Sequence, residues 1–135
     1  MSFVYPHVSF IALIAAAVAQ FILGFIWYSP WTPIGAAWMR EMKISGDAKP
    51  GAEMLVFPVS SIIAAWAVSM IVSWSGASGA YESVLAAWVI GMAVAAQILG
   101  AAVANSQRSI TLLVIHLGYI AVGYALMGVV ISMLR

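Results

Sequence analysis

Apolar residues run almost without interruption through four stretches of the chain, and the polar positions collect between them. The stretches are Val8–Tyr28, Met54–Trp74, Glu82–Ala104 and Ile110–Leu134. At about 1.5 Å of rise per residue, about 21 helical residues cover roughly 30 Å, the thickness of a hydrocarbon core. None of the four holds a Lys, Arg or Asp, and their single Glu, Glu82, stands at an end. The pattern predicts an all-α membrane protein, a single domain over 1–135 with four transmembrane helices.

The connections carry the punctuation. Ser29-Pro30 ends the first span, because proline disfavours helix in the residue before it. Thr32-Pro33 then reads as an N-cap followed by proline at the first helical position. On the short helix Pro33–Lys43, Ile34, Trp38, Met39 and Met42 fall on one side, Arg40 and Lys43 on the other. Such an amphipathic helix is expected to lie in the interface, apolar face down. Ser45–Glu53 is a polar turn, Ser75–Ala80 a short flexible one. Asn105–Ser109 is so tight that spans three and four are expected to be antiparallel neighbours. Pro58, early in the second span, predicts a slight bend.

Composition agrees with the pattern: 65% hydrophobic against 7% charged residues is far from a soluble domain. A net charge of +1 offers no basic surface for nucleic acid, and the absence of Cys removes disulfides, thiolate nucleophiles and Cys-ligated metals. Ala17-Val18-Ala19 has the small-x-small form of a signal-peptide cleavage site. Met1–His7 carries no Lys or Arg ahead of it, so the first segment is expected to stay as a permanent span. Arg40, Lys43, Lys49 and Arg108 lie in the first and third loops, with only Arg135 on the terminal side. The positive-inside rule therefore predicts periplasmic termini. Trp27, Tyr28, Trp31 and Trp38 gather at the inner end of span one, with Trp74, Tyr81 and Tyr5 at the outer level. Anchoring in the headgroup zone is the expected role for nearly all of them.

Inside the spans the polar residues are few. Gln20, Ser61, Gln97 and His116 all fall roughly 9–12 Å from the cytoplasmic ends, reckoned along the helices. Tyr119 follows His116 by three residues. Gln97 and His116, on the hairpin of spans three and four, are the expected direct pair. Two roles compete for this layer: interhelical hydrogen-bonded glue, which needs no activity and is favoured, and a small polar site. Small residues mark expected contact faces. These are Ser61, Ala65, Ser69 and Ser73 on span two; Ala86, Ala93, Gln97, Gly100 and Ala104 on span three, which also holds Gly91-x-x-x-Ala95; and His116, Tyr119, Gly123 and Met127 on span four. This is more than four helices need internally, which points to an oligomer or a partner.

Missing chemistry narrows the function. No intramembrane acid couples protons, His7 and His116 lie near opposite faces and share no metal, and no nucleophile–base pair or phosphate loop is present. His116 alone is a possible ligand for haem or another pigment, but a hydrogen-bonded structural histidine is the favoured reading. No cofactor is expected.

Gly24-x-x-Trp27-Tyr28-Ser29-Pro30, followed by Gly35-x-x-Trp38-Met39, resembles the hallmark of a small bacterial membrane family, domain of unknown function 1761. Arg108-Ser109, Gly118-Tyr119 and Leu126-Met127-Gly128 resemble its closing motif. The resemblance covers essentially the whole chain and implies four spans, a long first loop and a bacterial inner membrane. It brings no established activity, ligand or catalytic residue.

The residues thus point to a non-enzymatic membrane protein acting through helix–helix association. It would be an accessory subunit of a membrane complex or a homo-oligomer, with lipids, other membrane subunits or itself as partners. The alternative is a small channel or transporter whose neutral path is lined by Gln20, Ser61, Gln97, His116 and Tyr119.

Overall fold

The computed structural model of the chain describes residues 8–44, 55–106 and 109–134. Every regular element among them is helical: α1 (Phe10–Trp27), α2 (Pro33–Met42), α3 (Val56–Trp74), α4 (Ala80–Ser106) and α5 (Ile110–Leu134). All but α2 are long and apolar enough to cross a membrane, and their ends match the predicted spans to within two residues. The polar turn Ser45–Glu53 lies outside the described residues, as do Tyr5, His7, Lys49, Arg108 and Arg135.

The helix ends follow local side-chain chemistry. Ser9 caps α1 by accepting from Ala12 N–H at 3.3 Å, and Ser109 caps α5 by accepting from Leu112 N–H at 3.3 Å. Glu82 accepts from the Ser78 N–H at 2.7 Å and from its hydroxyl at 3.0 Å. This satisfies a donor ahead of α4 and places negative charge at the positive end of the helix dipole. Pro58 is the third residue of α3. Its missing N–H falls where no intrahelical bond is due, so the cause of the expected bend is absent.

α5 is the spine of the bundle. α4 and α1 pack along it, α3 packs along α1, and α3 touches α4 and α5 least. The close-packed core holds Leu13, Ala16 and Ala17 of α1, Ala65, Val68 and Val72 of α3, Ala77, Ala87 of α4, and Met127 and Ile131 of α5. It occupies the half of the bundle where α1 begins and α5 ends, an end marked by a 3.5 Å contact from Ser9 Oγ to Leu134 O. The predicted small-residue face of α3 is the buried one, with Ser61, Ala65 and Ser69 at 5% exposure or less.

Of the two small faces predicted on α4, Gly91-x-x-x-Ala95 is the buried one, in a stripe with Ser83 and Ala87, and the other is corrected: Ala93, Gln97 and Ala104 are exposed. Small residues occur on several sides of α4 and its apolar residues all round, so spacing alone does not choose the inward face. The choice is made by what α5 presents. Tyr124 fills the place a Cβ on Gly91 would take, and a Cβ on Gly128 would lie 2.9 Å from Val84 Cα and 3.0 Å from Ser83 O.

Candidate functional site

The end of the bundle that carries α2 is where the polar and aromatic side chains meet. After Tyr28 the chain turns through Ser29-Pro30 and runs back as α2. Thr32 holds this turn: its Oγ1 donates to Ser29 O at 3.1 Å and accepts from Gly35 N–H at 3.0 Å. The Ser29 hydroxyl accepts from Trp31 N–H at 3.2 Å. Gly35 lies directly on the Ser29 backbone, where any Cβ would overlap the Ser29 carbonyl, so glycine alone lets α2 approach this closely. Glu41 then accepts from Ser109 Oγ at 2.8 Å, tying α2 to the start of α5.

This docking brings Trp38 edge-on to Tyr28, ring centroids 4.9 Å apart. Tyr28 OH lies 2.7 Å from His116 Nδ1; with the phenol donating, the imidazole is the tautomer protonated on Nε2. The Tyr28 ring also meets Tyr119 edge-on at 5.3 Å. Trp27 Nε1 donates to Ile115 O at 3.1 Å, in space left by Gly118, where a Cβ would come 3.0 Å from the indole. Tyr119 OH donates to Gln20 O at 3.4 Å and occupies the space a Cβ on Gly24 would contest, 3.0 Å away.

Gly24, Trp27, Tyr28, Ser29, Gly35 and Trp38 of the first motif therefore form one contact network with Gly118 and Tyr119 of the second. Trp27, Tyr28 and Trp38 turn into the bundle and hold this end of it together, through the bonds to Ile115 and His116 and the ring contact between Tyr28 and Trp38. Trp31 stays outside this network, 82% exposed.

Of the predicted polar layer, Gln20, Ser61, His116 and Tyr119 line one cavity of about 440 Å³ between α3 and α4, floored by α1 and α5. A second cavity of about 440 Å³ lies between α1 and the start of α3, and Tyr28, Trp38, Ser61 and Tyr119 wall both. No charged residue lines either one. Gln97 is absent from this group. It sits exposed on the outer side of α4, and His116 pairs with Tyr28 instead. Counting residues along a helix gives height in the membrane but not direction around the axis, and α4 turns Gln97 away. The sequence reading missed the link from Tyr28 to His116 and the seat of Tyr124 on Gly91. The first was foreshadowed by two polar groups at neighbouring depths; the second had no local signal.

Two polar atoms in this region have no hydrogen-bond partner among the described residues: Gln20 Oε1 and Trp38 Nε1. The Tyr28–His116 bond is open to a direct test. Tyr28→Phe and His116→Phe are each expected to cost about 0.5–1.5 kcal/mol of stability in detergent, and the double variant little more than one of them. Strictly additive losses in thermal unfolding would mean that no bond couples the two side chains.

The family model described as Protein of unknown function (DUF1761) matches residues 11–132. The chain belongs to that family. No curated protein and no solved structure matches the chain.

Proposed function

We propose that this member of the family is a non-enzymatic membrane protein that works by helix–helix association, through the outer face of α4 and first of all with a second copy of itself. The observation that carries this reading is the exposed Gln97. It stands well inside a span and bonds to no other described residue. Hydrocarbon supplies no hydrogen-bond partner, so a lipid-facing amide there is costly until another helix covers it. An amide both donates and accepts, so two Gln97 side chains related by a two-fold axis satisfy each other. Ala93 and Ala104 are exposed on the same face, and a Cβ on Gly100 would meet nothing within 4 Å, leaving room for close backbone approach. α4 is also the least buried of the four spans. That the protein is not an enzyme rests on spans that carry no Lys, Arg, Asp or Cys.

The chain has no Cys, so a single engineered one reports cleanly. In the native membrane, Gln97→Cys is expected to give a disulfide-linked dimer on oxidation, and Ile22→Cys, on the exposed side of α1, is not. Gln97→Leu is expected to weaken self-association about threefold to tenfold, the worth of one interhelical polar contact. A photo-crosslinker on the same cysteine that captures a different chain would make the protein an accessory subunit. If neither adduct forms, association through this face is refuted.

A further inference from the structure

The geometry points to a second role, separate from association: the cavity between α3 and α4 is a seat for an uncharged, single-chain amphiphile drawn from the bilayer, a hydrocarbon chain ending in one hydroxyl or carbonyl head. Its mouth is the first reason. Phe57 and Ser60 on α3 and Val94 and Ile98 on α4 all line the cavity, and all four are exposed. The gap between α3 and α4, which touch each other little, thus opens sideways, toward lipid chains.

Its shape and lining are the second reason. α4 lines the cavity from Gly91 to Ala102, a length of about 16 Å along a helix. A long slot of about 440 Å³ falls within the range of small-molecule sites. With no charged group in its wall, a charged head would be stripped of water without compensation.

The third reason is the pair of unsatisfied polar atoms. Gln20 is 5% exposed and lines the cavity, yet its Oε1 has no partner among the described residues; Trp38 Nε1, on the same lining, is in the same condition. One is an acceptor and the other a donor. Both atoms are covered as the chain stands, and the Gln20 amide reaches the slot by turning about its soft terminal torsion. A hydroxyl can satisfy the first or the second, a carbonyl the second, and plain hydrocarbon neither. His116 and Tyr119 border the same space.

The test uses the full-length protein in phospholipid vesicles with hexadecanol carrying a mid-chain diazirine. Saturable photolabelling is expected on the cavity side of α4. Unlabelled hexadecanol should compete about fivefold better than hexadecane, the worth of one neutral hydrogen bond, and hexadecyl phosphate should compete poorly. Gln20→Leu should bring the alcohol's advantage over hexadecane close to unity. Ser60→Trp should block the mouth and remove the label. Ser60 is exposed and its hydroxyl bonds only within its own helix, to Phe57 O at 3.0 Å, so this variant should unfold at the same temperature as the parent. Labelling that does not saturate, hexadecane competing as well as the alcohol, or labelling indifferent to Ser60→Trp would each overturn the proposal. A monomeric protein that still shows saturable, alcohol-selective labelling would refute the association reading and leave this one standing.

Discussion

Gly35→Ala, a change that ordinarily strengthens a helix, is expected to weaken this protein by about 2 kcal/mol. In a free helix alanine is better than glycine by about 0.8–1 kcal/mol. Here the added methyl would overlap the backbone carbonyl of Ser29. A backbone group cannot rotate away as a flexible side chain can, so α2 must lift as a unit, and overpacking of this kind typically costs about 1–3 kcal/mol and occasionally more. Lifting α2 also withdraws Trp38 from Tyr28 and Glu41 from Ser109. Two readouts check this. Thermal unfolding in detergent should begin at lower temperature. A Glu41→Cys/Ser109→Cys pair, placed where the parent side chains bond at 2.8 Å, should cross-link readily in the parent background and poorly with Gly35→Ala. A rise in stability would show that helix propensity dominates and that α2 is not docked through Gly35.

The second large effect is expected at Gly128. A methyl there would stand 2.9 Å from Val84 Cα and 3.0 Å from both Ser83 O and Val84 N, so α4 and α5 would be pushed apart along their main contact. Gly128→Ala is expected to cost about 1–3 kcal/mol and to broaden the unfolding transition. Gly100→Ala on the outer face, where a Cβ meets nothing of its own chain within 4 Å, is expected to leave the stability of the single bundle unchanged or to raise it by up to about 1 kcal/mol, its cost falling on self-association instead. Gly91→Ala is the intermediate case. Its obstacle is the Tyr124 ring, a side chain, so Tyr124→Leu in the same chain should restore much of the loss. Equal effects at Gly128 and Gly100 in a denaturant or thermal titration would mean that intrinsic propensity, and not close packing, sets the stability of α4.

The aromatic network explains why the two ends of the bundle differ. Where Ala16, Ala17, Ala65, Ala87 and Gly128 face inward, the backbones close up and bury Val68, Val72 and Met127 completely. Toward α2, Tyr28, Trp38 and Tyr119 take those places, and their rings wall the two cavities left between the helices. The network thus does two jobs with one set of residues. Its glycines set how near α1, α2 and α5 approach, and its rings wall the space that remains.

What was legible in the sequence was everything that depends on local order. Each span had to be a helix because only intrasegment bonding satisfies the backbone in hydrocarbon, and uninterrupted apolar length gave its limits. Thr32-Pro33 and Ser29-Pro30 set their own boundaries through a cap and a steric rule. On α3 the inward face could be read because Ser61, Ala65 and Ser69 repeat at intervals of four on one line. Azimuth was a different matter. On α4, Gly91-x-x-x-Ala95 and the line of Ala93, Gly100 and Ala104 both offer small faces, and hydropathy does not separate them, since lipid and protein interior are equally apolar. Only the docked partner decided: Tyr124 needed Gly91, Gly128 needed the Ser83–Val84 backbone, and Gln97 was left outside. Likewise only the return of α2 over the bundle end brought Trp38 to Tyr28, and Tyr28 to His116. The helices, their lengths and their caps are properties of neighbouring residues; which faces meet, and which polar groups they leave unsatisfied, belongs to the assembled bundle.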